Sequence, residues 1–353
     1  MYRICVYATA GDDAFEANVP LVRHGAFMRR SGIENKLHVH FMLGAERLSQ
    51  EYHRTLREMG YQVHDNAPDM AAVLSRFPNI ARMPTYFAYN YLRWPILELL
   101  IDRGDISLPV VGVDGDIAFT APFDDITQDI AGKNFILQGN PCFTVISDME
   151  WLRAYGRELE SLDRDQTAFN LAAAEIKRAP ARDDRRYCNA SWYAVPIRHD
   201  QDLLQCLVAG GRLPQSEARE IFHSDFYWIQ NPLFPGEWFR EQCGTAARSI
   251  SGIGDRIAIG GKRLAFVHYQ NDFARYCHAW QQLNELGLGW LGSTLRYSAT
   301  TGVPDFAGRL LYAGLRRLHG HEKQNRAKVY DQTLTRNART GNLYVTDMIG
   351  ALL

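Results

Sequence analysis

Two aspartates one residue apart follow a short apolar run near the first third of the chain. The run at residues 109–113 ends at Asp114-Gly115-Asp116, after which apolar residues resume. If the chain turns at Gly115, which has no Cβ to oppose a turn, both carboxylates can converge on one cation. Carboxylates suit hard divalent ions, and such an ion can bridge the oxygens of a diphosphate. The alternative is a solvated turn, because Asp-Gly-Asp is also common in loops.

The residues before this triplet predict an α/β fold. Strand-like segments alternate with helix-like ones, the strands at 2–10, 37–43 and 61–65 and the helices at 17–32, 46–60 and 85–102. This alternation indicates βαβ units and a mainly parallel sheet. Ligands bind beyond the carboxyl ends of the strands in such sheets, so the triplet lies where a site is expected. Pro95 predicts that the third helix is bent or restarts there.

Beyond residue 120 the pattern is mixed. It predicts strands at 134–139, 142–147 and 264–269, and helices at 148–162 and 164–179. Ser147 or Asp148 is a candidate cap for the first of these helices, and Asp165 for the second. The aromatic segment 222–239 predicts either core packing or a platform on which an acceptor sugar could stack.

Four motifs in this order resemble the GT-A nucleotide-sugar glycosyltransferases, most closely the type of glycosyltransferase family eight. VVGVDGDI is similar to the strand and DxD motif of that family, and YNYLRWPILELL places Arg93 at the family's Arg or Lys. DRDQTAFN matches its DQ element at Asp165, Gln166 and Asn170, and AFVHYQND places His268 at its metal-site histidine. The resemblance covers roughly residues 1–280. It implies a GT-A catalytic domain over 1–280, with a Rossmann-like, mixed central sheet flanked by helices, and a helical C-terminal extension over 281–353.

The resemblance also implies a cation and diphosphate site. Asp114, Asp116 and His268 would hold Mn²⁺ or Mg²⁺. Arg93 would pair with a phosphate or position Asp114. A core histidine and a helix-surface charge are the ordinary alternatives for His268 and Arg93.

Two further segments would contact the rest of the donor. Ala8, Thr9, Ala10 and Gly11 would hold the nucleobase and ribose through backbone groups, since small residues let a nucleotide approach closely. Asp165 and Gln166 would bind the hydroxyls of the transferring sugar. Asp165 has an alternative role as the cap of its own helix.

The function implied is that of a metal-dependent glycosyltransferase of the hexosyltransferase type. It would use a nucleoside-diphosphate sugar, UDP-linked by the resemblance, and a glycan or glycolipid acceptor such as a bacterial surface glycan. A sugar-phosphate nucleotidyltransferase is one rival, but ATAGDDAF lacks the Gly-rich basic loop that cradles a triphosphate. A catalytically inert sugar- or protein-binding module that keeps the fold is the other.

Composition excludes several classes of protein. The formal net charge of the 353 residues is -1, so no overall field points to nucleic acid. The six cysteines form no CxxC motif, which indicates free thiols in a reducing compartment. The N-terminus does not resemble a signal peptide and no run has the length of a membrane span, so we expect a cytoplasmic protein. Leucines and arginines at 309–318 predict either a packed helix or contact with the inner face of the membrane.

Overall fold

The structure is a computed structural model that describes the elements around the predicted site. The described residues are 3–8, 21, 25, 37–42, 49–114, 117–119, 123–124, 130–136, 141–178, 194–214, 226–229, 250–251, 258–259 and 262–268. The predicted C-terminal extension over 281–353, and with it the basic segment 309–318, lies outside these residues.

The described residues form a mixed α/β structure, which confirms the predicted class. The strands are β1 (Arg3–Ala8), β2 (Leu37–Phe41), β3 (Tyr61–Asp65), β4 (Val110–Val113), β5 (Ile117–Phe119), β6 (Phe135–Ile136), β7 (Phe143–Ile146), β8 (Phe226–Ile229), β9 (Ile250–Ser251), β10 (Ala258–Ile259) and β11 (Lys262–His268). The described helices are α1 (Gln50–Glu58), α2 (Ala67–Leu74), α3 (Thr85–Asp102), α4 (Met149–Arg164), α5 (Gln166–Arg178) and α6 (Asp200–Ala209), with a short 3₁₀ helix at Ile80–Arg82.

The strands form two sheets. The first has the order β3-β2-β1-β4-β7-β6, in which β1 to β4 are parallel and β7 is antiparallel to both β4 and β6. The second has the order β5-β11-β10-β9, with β8 paired to β11. Since β5 is the next strand after β4 along the chain, Asp114, which follows β4, lies at the junction of the two sheets.

Side-chain caps and a glycine set several helix ends. The Ser49 hydroxyl accepts a hydrogen bond from the N–H of Tyr52 at the start of α1, and Gly60, with φ 93°, follows that helix. Asp148 caps α4 by accepting from the N–H of Trp151, so of the two predicted caps Asp148 is the correct one. Asp165 lies between α4 and α5 and accepts from the N–H of Ala168.

Helix α3 runs unbroken through Pro95, so the predicted restart is wrong. Proline has no N–H, and the carbonyl of Tyr91 therefore lacks its usual helical partner. The hydroxyl of Tyr155 on α4 donates to that carbonyl at 3.1 Å. The helix thus continues because a neighbouring helix supplies the missing donor.

The packing of α3 against α4 holds this region rigid. Trp94 and Trp151 meet edge to face with their ring centroids 5.3 Å apart, and Trp151 stacks on Tyr155 at 6.1 Å. All three rings are buried. Aromatic pairs of this kind add about 0.5–1.5 kcal/mol beyond their buried area. The helix that carries Arg93 is therefore firmly anchored.

Candidate active site

The end of β1 and the end of β4 meet at the point where the order of the first sheet reverses. Val6 is paired with Val113, so Ala8, the last residue of β1, and Asp114, which follows β4, lie at the same edge of the sheet. The chain leaves β1 toward β2 and β3, then crosses back to place β4 on the other side of β1. Ligands bind at this switch point in open α/β sheets. Thr9, Ala10 and Gly11 lie outside the described residues.

Asp114 is fixed by its backbone at the junction of the sheets. Its N–H donates to the carbonyl of Cys142 at 3.0 Å, which extends the pairing of β4 with β7. Its carbonyl accepts from the N–H of Ile117 at 3.1 Å. A bond from residue i+3 to residue i is the one that closes a β-turn, in agreement with the turn expected at the acidic triplet. Asp116 itself lies outside the described residues.

The backbone of His268 comes to the same junction. It is the last residue of β11 and is paired with Ile117, the residue that follows Asp116 in the chain. The topology therefore brings the backbone of His268 beside Ile117, which lies three residues after Asp114, although His268 and Asp114 are more than 150 residues apart in the chain. The side chain of His268 is not among the described ones.

Arg93 is buried and joins two aspartates. Its Nη1 donates to Oδ1 of Asp114 at 3.3 Å. Its Nε donates to Oδ2 of Asp200 at 2.9 Å, and its Nη2 bonds the same oxygen. Burial alone would lower the pKa of Arg93, but the attraction of Asp200 and then of Asp114 outweighs it and raises that pKa. Arg93 is therefore a permanent cation inside the protein.

These contacts bear on the two roles predicted for Arg93. All three of its nitrogens donate to carboxylates, and its side chain is only 9% exposed. The carboxylates of Asp114 and Asp200 use three of its five N–H donors and surround it with negative charge, which opposes the approach of a phosphate. The geometry favours the role of positioning Asp114, whose own side chain is 33% exposed.

Asp165 and Gln166 lie in a different part of the described structure. They line an open recess of about 470 Å³ together with Asn79, Arg82, Met83, Asp163 and Arg164. Asp163 is buried and accepts from the backbone N–H groups of Asn79 and Ile80, which fixes one wall of the recess. The cap bond of Asp165 is present, while its side chain stays exposed.

Asn170, the last residue of the DQ motif, has a structural contact that links this motif to Arg93. Its Oδ1 accepts from the N–H of Ile197 at 2.7 Å. The segment 194–199 leads from there into α6, where Asp200 reaches Arg93. Asp202 supports the same segment by accepting from the N–H groups of Ala194 and Arg198.

Asp200 and the helix that carries it were not identified from the sequence. The stretch HDQDLLQCLVAG holds usable signals, namely acidic residues in the first turn, an apolar run and a following glycine. His199 caps this helix by accepting from the N–H of Asp202 at 3.3 Å. Asp200 itself could not be assigned to Arg93, because 107 residues separate them in the chain.

The described residues include only part of the predicted cation site. Among the residues whose side chains are described, no group of three His, Cys, Asp or Glu could hold a metal ion. Asp114 is the only predicted ligand within that set. Its carboxylate is partly exposed at a strand end, and Asp114, Arg93 and Asp200 together carry one net negative charge at neutral pH. An anionic oxygen site of this kind suits Mn²⁺ or Mg²⁺.

Cys142 and Cys206 are both free and buried, as predicted for the cysteines. No helix within the described part of the chain combines the length and the apolar character needed to span a membrane.

No family model matches the chain, and no curated protein matches it. Among solved structures, the chain is similar to the crystal structure of mouse xyloside xylosyltransferase 1 in its apo form, with 13% sequence identity and a TM-score of 0.36. The match covers 76% of this chain and 97% of that one. A likeness with so low a TM-score carries no weight in assigning a function.

Proposed function

We propose that the protein is a metal-dependent GT-A glycosyltransferase that takes a sugar from a nucleoside-diphosphate sugar, UDP-linked by the resemblance of its motifs. One observation carries the proposal. Asp114, held by Arg93, lies at the carboxyl end of β4 beside the end of β1, where an open α/β sheet binds its ligand.

Each predicted residue has a role in this proposal. Asp114 and Asp116, with His268, would hold the cation, and Arg93 would fix the orientation of Asp114. A bound Mn²⁺ or Mg²⁺ would stabilise the charge that develops on the leaving diphosphate. The chain after β1, Ala8 to Gly11, would pack against the nucleoside.

The sugar end of the donor would be recognised by Asp165 and Gln166. Both are exposed in the recess, and carboxylate and amide oxygens are suitable partners for sugar hydroxyls. A glycan or glycolipid is the proposed acceptor. Asn170 and Ile197 join the helix of this motif to the segment that precedes Asp200, so the two halves of the donor site are mechanically connected.

A donor screen tests the function. The full chain is incubated with a panel of UDP- and GDP-sugars, and release of the nucleoside diphosphate is measured with Mn²⁺, with Mg²⁺ and with EDTA. We expect hydrolysis of at least one sugar nucleotide that requires the cation. Binding of donors without any turnover, with or without sugar acceptors, would instead indicate the inert binding module and would contradict the proposal.

A further inference from the structure

Asp200 is the second anionic partner of Arg93, beside Asp114. Arg93 and Asp200 are both buried, with side chains 9% and 4% exposed, whereas Asp114 is partly open to solvent. Two of the three donating nitrogens of Arg93 go to Asp200, and one goes to Asp114. The buried pair is therefore Arg93–Asp200, and Asp114 is attached to its edge.

This arrangement has a consequence for the charge of Asp114. A guanidinium paired with Asp114 alone would cancel the charge of that carboxylate and would repel a cation beside it. Because Asp200 balances the charge of Arg93, Arg93 does not cancel the charge of Asp114, whose side chain is 33% exposed. Arg93 can then orient Asp114 without neutralising the site.

The plane of the guanidinium is also fixed. Its central carbon lies 5.2 Å from the ring centroid of Trp94, within the range of a cation–π contact. Asp200 and Trp94 together leave Arg93 little freedom to change partner. Small displacements of Asp200 are thus passed on to Asp114.

Asp202, two residues further on, does not share this role. It is also buried, but its two oxygens accept from the backbone N–H groups of Ala194 and Arg198. One aspartate of α6 thus holds the loop in place, and the other reaches the site. Asp200 and Asp202 therefore provide a matched comparison within a single helix turn.

We propose that Asp200 is a positioning residue of the cation site: acting through Arg93, it keeps Asp114 oriented and negatively charged. This inference rests on the proposed function, because it assumes that Asp114 binds a divalent cation. The chain segment that enters α6 then contributes to the cation site, because it positions Asp200.

Binding of Mn²⁺ alone, without nucleotide, tests the inference. We expect Asp200→Asn to weaken Mn²⁺ binding roughly tenfold or more, measured by calorimetry or by the resonance signal of free Mn²⁺, because Arg93 then lies unbalanced beside Asp114. Asp202→Asn should disturb folding to a similar degree but leave the affinity within about twofold. Melting temperatures of both variants show whether their stabilities are comparable.

A double variant separates charge from structure. Arg93→Met combined with Asp200→Asn removes both buried charges, so the affinity for Mn²⁺ should recover in part from that of Asp200→Asn, but it should stay below that of the unmodified protein because Asp114 also loses the partner that orients it. An affinity of Asp200→Asn equal to that of the unmodified protein would overturn the role of Asp200 alone. An equal loss of Mn²⁺ affinity in Asp200→Asn and in the double variant would overturn it as well. If the unmodified protein itself binds no Mn²⁺, the proposed metal-dependent function fails and the inference fails with it.

Discussion

Arg93 in the middle of α3 donates to Asp114 at the end of β4 across 3.3 Å. The contact joins a helix interior to a strand end, and Asp200 completes it from a third part of the chain. Burying a cation in this way is favourable only while its anionic partners are present.

Removing the positive charge of Arg93 should therefore destabilise the folded protein. Arg93→Met leaves Asp200 buried without its partner, and we expect a loss of about 3–5 kcal/mol in the free energy of unfolding. Chemical denaturation measures it. Arg76→Met is the control, because it breaks an exposed pair with Glu160 that should contribute less than about 1 kcal/mol. Equal effects of the two variants would contradict the buried-pair account.

The buried His40 of β2 should make stability fall in acid. His40 is fully buried, its Nδ1 bonds Oδ1 of Asn66 at 2.8 Å, and its ring stacks on that of His64. Burial, with a smaller contribution from His64, lowers the pKa of His40 to about 3. The unfolded chain binds a proton near pH 6.5 and the folded one near 3, so stability is lost as the pH falls between these values. The loss attributable to His40 should reach about 2 kcal/mol by about pH 5.

Urea denaturation at about pH 7 and about pH 5 checks this dependence. His40→Gln should shrink the difference between the two pH values by about that amount. His53→Gln, in a half-buried position on α1, is the matched histidine-to-glutamine comparison. If both variants keep the full pH dependence, His40 is not its source.

Asp165 can be tested separately as a helix cap and as a ligand of the donor sugar. Asp165→Asn keeps an oxygen that can accept from the N–H of Ala168, so stability should hold, because asparagine caps as well as aspartate. Transfer should nevertheless fall roughly tenfold or more if the carboxylate contacts the sugar. Melting temperature and transfer rate are measured on the same sample.

Two further variants complete that comparison. Asp165→Ala should cost about 0.5–2 kcal/mol through loss of the cap. Ser49→Ala removes an equivalent cap on α1 and should leave transfer unaffected. A full transfer rate in Asp165→Asn would mean that Asp165 is only a cap.

The hydroxyl of Tyr155 should contribute more to the free energy of unfolding than the hydroxyl of Tyr91. Tyr155→Phe leaves the carbonyl of Tyr91 without a donor, since Pro95 has none, and should cost about 1–3 kcal/mol. Tyr91→Phe is the matched control, because the buried Tyr91 hydroxyl has no hydrogen-bond partner among the described residues. Its loss should cost little.

A substitution of Pro95 tests directly whether Tyr155 supplies the hydrogen-bond donor that the proline lacks. In Pro95→Ala the new N–H can bond the carbonyl of Tyr91, so Tyr155→Phe should cost less in that background. Unfolding free energies of the four proteins give the coupling. Zero coupling would show that the tyrosine does not compensate for the proline.

Local patterns are sufficient for part of the fold. The strand over 61–65 and the helix over 85–102 are predicted with their observed bounds, because alternation and helical spacing are local properties. Strand β8 is not distinguished within its aromatic segment, and α6 is missed. The predicted restart at Pro95 is wrong because the compensating donor comes from Tyr155, 60 residues away.

In the site, too, features set by neighbouring residues can be predicted and features set by distant contacts cannot. Asp114 can be found from its own neighbours, since a carboxylate at a strand end is visible in the sequence. The partner of Arg93 cannot, because nothing local to either residue reports a contact between Arg93 and Asp200. The register of His268 with Ile117 likewise appears only when the second sheet is formed.

The central claim is that the acidic triplet supports metal-dependent sugar transfer, and the rate of Asp116→Asn with a sugar nucleotide and Mn²⁺ tests it most directly. We predict a loss of roughly a hundredfold or more, since a ligand that stabilises the leaving-group charge is removed. The melting temperature should stay that of the unmodified protein, and Asp102→Asn, an exposed substitution at the end of α3, should keep full activity. Full activity of Asp116→Asn, or full activity of the unmodified protein in EDTA, would contradict the account.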